Sequence, residues 1–162
     1  MHSIETRIAH RRFPCIHFVT VSETSSEPAK NPERLEVEEL TALQPGLARF
    51  MPEIGARFWK CYYAAEAGNW PLARWQLSEL RKLMRMCMVT RPKYIADLQE
   101  WIADDLEPIM QAIEARDVER FRRLYHESVD AANEFHRRWK KAFIVWKLPD
   151  APPPDLDLTP RD

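Results

Sequence analysis

The chain has 162 residues, 45% apolar and 30% charged, a mixture that suits one globular domain with a full core and no disulfide staples. Its 24 basic and 25 acidic residues leave a net charge of −1, which excludes a global field able to hold nucleic acid or an anionic membrane. Three glycines against 13 prolines argue against a turn-rich all-β fold and against phosphate-cradling loops, and no GxGxxG or GxxxxGKS/T pattern is present.

Residues 1–34 read as a leader. "SETSSEPAKNPER" is polar, rich in Ser and Pro, and poorly able to bury itself. "CIHFVTV" has strand character but no partner strand. Arg7, Arg11 and Arg12 ahead of "FPCIHFVTV" resemble a twin-arginine export signal. The apolar part is short, broken by Pro14 and His17, and followed by no clean cleavage site, so a cytoplasmic location is expected. No run approaches the ~18 consecutive apolar residues of a membrane span.

From Leu35 the helical period takes over. "LEVEELTALQPG" predicts a short helix stopped by Pro45 and Gly46. Leu47, Met51, Ile54, Phe58, Cys61 and Ala65 then form one apolar stripe at spacings of three and four. "AGNWP" breaks it, with Asn69 as an N-cap and Pro71 in the next first turn. A second long helix, about Trp70 to Val89, carries Ala73, Leu77, Leu80, Met84 and Cys87. "TRP" ends it: Thr90 is placed to cap and Pro92 to open the third helix, whose stripe runs from Tyr94 through Leu98, Trp101 and Leu106 to Ile113. Pro108 inside that stripe removes a backbone donor and predicts a kink or division. Asp117 caps a fourth helix with Phe121, Tyr125, Ser128, Ala132, Phe135, His136 and Trp139 on one side.

The expected fold is all-α: an antiparallel four-helix bundle over 35–148, with an extended leader before it and a Pro-rich extended tail over 149–162. The runs are each about 30 Å long at ~1.5 Å per residue, and short turns make sequential neighbours antiparallel. The basic run Arg137, Arg138, Lys140 and Lys141 reads as a solvated helix end that suits the helix dipole. Cys15, Cys61 and Cys87 are odd in number and match no zinc or redox spacing. Cys61 and Cys87 stand among apolar residues as inert buried thiols, which suits a reducing compartment.

Three stretches resemble the cytochrome c′-like helical bundles. "LTALQPGLARFMPEIGARFWKCYYAAEAGNWPLARWQLSELRKLM" is similar to their first two helices, "TRPKYIADLQEWIADDLEPIMQAIEARDVERFRRLYHESVDAANEFH" to their last two, and "FIVWKLPDAPPP" to the segment after them. In that family the last helix carries a Cys-Asn-x-Cys-His motif that attaches haem. Here the matching positions read Ala132, Asn133, Glu134, Phe135 and His136. Thioether attachment needs two thiols, so covalent haem is excluded at this motif.

His136 admits several roles. It is a satisfied polar residue inside the helix packing if its N–H is paired. It is an axial ligand for a non-covalent haem b, with Met51, Phe58, Tyr125 and Phe135 as the cofactor's neighbours and Trp101 and Phe121 as further walls. It is a general acid or base in a lyase, isomerase or hydrolase, beside Asp130 or Glu134. The expected function is a haem-less, cytochrome c′-like domain with no resident cofactor, whose vacated pocket binds a small apolar ligand or a partner protein. No metal site is expected: His126 and His136 are ten residues apart, a rise of about 15 Å, and no Glu-x-x-His pair lies on the core stripes. The resemblance also implies a homodimer through the first two helices, with Trp59, Tyr63 and Trp75 suited to that contact. No nucleic acid and no membrane partner is expected.

Overall fold

The computed structural model describes residues 36–161, and every regular element among them is helical. The leader assigned to 1–34, with its export-like arginines and Cys15, lies outside the described residues. No described helix is long and apolar enough to cross a membrane.

A short helix α1, Val37–Leu43, ends ahead of Pro45 and Gly46. Helix α2 spans Leu47–Glu66 and α3 spans Trp70–Thr90. They are joined by a tight turn in which Gly68 takes φ 75°, a conformation that costs glycine little. Asn69 caps α3 as expected: its side-chain oxygen accepts the Leu72 N–H at 3.1 Å.

Thr90 does not cap the next helix. It is the last residue of α3, and its hydroxyl donates back to the Cys87 carbonyl at 3.5 Å. Arg91 before the proline takes φ −142° and ψ 70°, away from the helical region that a proline ring disfavours for the residue ahead of it. A 3-10 turn, Pro92–Tyr94, leads into α4, Ile95–Glu100.

Pro108 is accommodated without a break. The chain widens into a π turn over Trp101–Leu106, in which the Glu107 N–H reaches the Ile102 carbonyl, and α5 continues as Glu107–Ala115 with Pro108 in its first turn. A proline has no N–H to give and its ring crowds the carbonyl four residues back. The wider turn re-routes the bonding just ahead of it. Arg116 then turns the chain at φ 52°, and Asp117 caps α6, Val118–Arg138, by accepting the Arg120 N–H at 3.1 Å.

Contacts run end to start. Arg91 at the end of α3 donates to the Gln44 carbonyl just before α2, and Arg122 near the start of α6 grips Glu66 at the end of α2 with two bonds of 2.7 Å. The core collects Ile54, Phe58 and Cys61 from α2, Leu77 and Leu80 from α3, Ile109 and Ile113 from α5, and Phe121 and Tyr125 from α6. Phe58 stacks on Tyr125 at 4.4 Å and meets Trp101 edge-on at 5.5 Å. Burying each such ring is worth about 2–3 kcal/mol. Cys61 and Cys87 are buried free thiols, and desolvation raises both, Cys87 to about 11, so neither is a ready thiolate.

Turns over 139–143, with Lys140 at φ 57°, follow Arg138, and the extended path begins at Ile144, ahead of the Pro-rich stretch at which the sequence marks the tail. It is tied down along α2. Tyr63 donates its hydroxyl to the Pro149 carbonyl at 2.5 Å, Lys60 pairs with Asp155 at 2.6 Å, and the Asn69 amide reaches the carbonyls of Leu158 and Thr159. This overturns the use of Tyr63 and Trp59 as exposed contact residues: the tail covers that face and leaves both half-buried, whereas Trp75 stays 51% exposed.

Candidate functional site

The candidate site lies where the start of α2, the ends of α3 and α6, and the 3-10 turn meet beneath the first part of the tail. A cavity of about 390 Å³ opens there to solvent. Its inner wall is Met51 from α2, Met84 from α3, Leu98 and Trp101 from α4 and the π turn, and Ala132 and Phe135 from α6. The tail supplies Ile144 and Trp146, and the mouth carries Arg91, Lys93, Asp97 and Lys141.

His136 sits on this cavity, half-buried. Its Nδ1 lies 3.1 Å from the Ile144 carbonyl, and its ring meets Trp146 edge-on at 5.5 Å. A carbonyl only accepts, so Nδ1 carries the proton, and a neutral ring then keeps the Nε2 lone pair free. No hydrogen bond to Nε2 is formed among the described residues. Desolvation pulls the imidazole below its ordinary value, against a smaller upward pull from the carbonyl bond, so the neutral ring is the favoured form.

The neighbouring Asn133 holds the tail in place. Its Oδ1 accepts the Trp146 N–H at 2.7 Å and its Nδ2 donates to the Trp146 carbonyl at 2.9 Å. Gly55 on α2 makes room for that indole, because a Cβ there would stand 3.3 Å from the Trp146 ring. Trp101 donates its indole N–H to the Ser128 carbonyl at 3.2 Å, which fixes the π turn against α6. At the mouth, Asp97 accepts from Arg138 and from the Trp139 indole, and Tyr94 packs on Trp139 at 4.3 Å.

Of the residues expected from sequence, His136, Met51 and Phe135 line this cavity, and Trp101 does too. Phe58 and Tyr125 do not. They are 1% exposed in the core and border a separate cavity of about 280 Å³ under Val145, Trp146 and Lys147. Phe121 is fully buried beside Tyr125. Asp130 is exposed and outside both cavity walls, so the residue that orients His136 is a backbone carbonyl and not this carboxylate. His126 is exposed against Tyr62 and Tyr125, remote from His136. Among the described residues no group of three His, Cys, Asp or Glu side chains gathers as a metal site.

Sequence reasoning missed Ile144, Trp146, Tyr94 and Trp139 as wall residues. The apolar run "FIVW" of the tail is plain in the sequence, but a non-helical segment has no period that says which way each side chain faces.

The arrangement can enclose an apolar body, offer one imidazole nitrogen to it, and present cations at the entrance. Compared with protein-family models, with curated proteins and with solved structures, the chain finds no match.

Proposed function

We propose that this chain is a haem-less, cytochrome c′-like bundle protein that binds a small apolar molecule in the cavity beside His136. The observation that carries the reading is the cavity itself. At about 390 Å³ it falls in the ~300–1,000 Å³ range of small-molecule sites, and its wall is aromatic, aliphatic and thioether. Ala132 and Phe135, which stand at the two thioether positions of the resembled motif, both border it. The four long helical runs would pack as an antiparallel bundle, a geometry supported by the end-to-start contacts of α2, α3 and α6.

Titration with 1-decanol, monitored by calorimetry and by the fluorescence of the wall tryptophans, tests the reading. One saturable site is expected, weakened in Ala132→Leu, whose larger side chain narrows the cavity. No saturable site, or one indifferent to Ala132→Leu, overturns it.

A second reading has its own observation. An Nδ1–H held by a backbone carbonyl and a free Nε2 is the arrangement that a haem-ligating histidine uses. Hemin titration checks it: a Soret band that His136→Ala abolishes would replace the apolar-ligand reading with a non-covalent haem b protein, and no band would leave the first standing. The homodimer belongs to the same proposal and now rests on Trp75 of α3. Light scattering should give a dimer mass that Trp75→Glu halves.

A further inference from the structure

We infer that the molecule taken by this cavity is an amphiphile with a single carboxylate head, its apolar body among Met51, Met84, Leu98 and Trp101 and its head at a mouth made by Arg91, Lys93 and Lys141. The inference rests on the ligand-binding reading above and names the chemical class of the ligand.

The charges around the cavity carry it. Three cations and one carboxylate border the space, and the carboxylate is already spent: Asp97 accepts from the Arg138 guanidinium and the Trp139 indole N–H. The cations have no such partners. Arg91 donates to the Thr90 and Gln44 carbonyls, which are neutral and leave its charge uncompensated. Lys93 holds its ammonium over the Tyr94 ring at 4.8 Å and the Trp139 ring at 5.8 Å, and Lys141 stands over Phe143 at 5.7 Å. No ion pair joins Arg91, Lys93 or Lys141 to a carboxylate among the described residues.

This excess is local, because the chain as a whole carries −1. Elsewhere in the fold many basic side chains are matched, as Arg57 is with Glu53, Arg81 with Glu107, Arg122 with Glu66 and Glu119, and Arg123 with Glu127. Others, such as Arg85 and Arg116, stand in no ion pair among the described residues but border neither cavity, and it is the position of Arg91, Lys93 and Lys141 on an apolar one that sets them apart. Cations held over aromatic faces at the rim of an apolar pocket are pre-placed without being neutralised. The complement of such a surface is an apolar body that ends in one negative charge. The cavity's size, near the lower end of ligand sites, limits that body to a short chain or a fused ring pair.

The test compares decanoate, 1-decanol and decylammonium by calorimetry, each below its aggregating concentration, at low and at high NaCl. Decanoate should bind about tenfold more tightly than decanol at low salt, the scale of two or three exposed charge contacts. Decylammonium should bind more weakly than decanol. The decanoate preference should shrink at high salt and vanish in the Lys93→Gln/Lys141→Gln variant, whose altered residues are exposed and outside the core. Equal binding of decanoate and decanol, or a preference that survives the double substitution, overturns the inference and leaves the apolar-ligand reading standing. Failure of all three to bind, or binding that Ala132→Leu does not weaken, overturns both.

Discussion

The two halves of α6 face the same neighbours with opposite results. In the first half Phe121 and Tyr125 meet Phe58 and Tyr62 of α2, ring on ring, with Tyr62 and Tyr125 at 4.7 Å and Phe58 and Tyr125 at 4.4 Å. In the second half Ala132 and the half-buried Phe135 border a cavity together with Ala48 and Met51 of α2. Both halves are apolar and both keep the helical period. At the filled end the rings of Phe58 and Tyr125 are buried even though a cavity of about 280 Å³ borders them, and at the open end Phe135 stays half-exposed on the cavity of about 390 Å³, since a void is simply what facing residues fail to occupy. An apolar stripe therefore marks a face that packs, and the burial along it marks where packing stops.

That contrast breaks most sharply under truncation. Phe58→Ala, at the filled end, should cost about 3–5 kcal/mol, because it removes a buried ring stacked between two others. Phe135→Ala, on a half-buried residue that already borders open space, should cost about 1–2 kcal/mol. Urea denaturation of the two variants decides it. Equal losses would mean that the open end is as tightly packed as the core.

The cover over the open end depends on Asn133. Asn133→Ala removes both bonds that clasp the Trp146 backbone and should cost about 2 kcal/mol, at roughly 1 kcal/mol for each hydrogen bond. Limited proteolysis should then cut within 139–161 faster than in the unaltered chain. A tail that stays equally protected would show that Tyr63, Lys60 and Asn69 hold it unaided.

Much of this was legible beforehand, for identifiable reasons. The all-α class, the starts of α2, α3 and α6, and the caps at Asn69 and Asp117 come from periodicity and from side-chain oxygens placed for orphan N–H groups. Pro108 announced a disturbance, but not the π turn that absorbs it, because the repair lies in the residues ahead of it and leaves no compositional mark. At the candidate site, Met51, Phe135 and His136, singled out from their stripes, line one cavity. Phe58 and Tyr125, grouped with them on sequence, border a different cavity. Phe58 shares a face with Met51 but lies seven residues further on, about 10 Å along the axis, which is enough to separate core from cavity. Asp130 precedes His136 by six residues, roughly 120° around the helix, so it turns to solvent. The dominance of proline and aspartate marks the tail as an extended segment along the bundle surface, but does not say what holds it there. Its docking depends on Trp146, Leu148 and Leu158, whose partners are distant in sequence.

Insertion of volume gives the reverse comparison. Ala64→Leu adds bulk at a fully buried position of α2 and should destabilise by about 1–3 kcal/mol through overpacking. Ala132→Leu adds the same bulk beside about 390 Å³ of free space and should stay within about 1 kcal/mol of the unaltered chain. Thermal unfolding of the pair separates the cases. A large loss at Ala132 would mean that the cavity is held open by a rigid wall that resists filling.

The smallest expected effect concerns protons, and again the two regions differ in sign. Asp105, on the π turn, has its carboxyl raised to about 6, first by burial and then by Asp104, Glu100 and Glu127. A carboxyl raised above its ordinary 3.8 favours folding fully below that value and loses its contribution as pH rises through about 6. His136 is lowered, first by burial, so its contribution is complete above 6.5 and is lost as pH falls through its folded value. Asp105→Asn should therefore stabilise the protein by about 1 kcal/mol at pH 7.5, after discounting for solvent screening of a half-exposed group, and by nothing near pH 3.5. His136→Asn, which keeps a donor for the Ile144 carbonyl, should flatten the loss of stability on the acid side of 6.5 and leave pH 7.5 nearly unchanged. Urea midpoints for both variants across pH 3.5–7.5 check the signs. A loss of stability in Asp105→Asn at pH 7.5 would show that this carboxylate is compensated in the folded state, and that the π turn is not the strained, acid-favoured element that its surroundings make it.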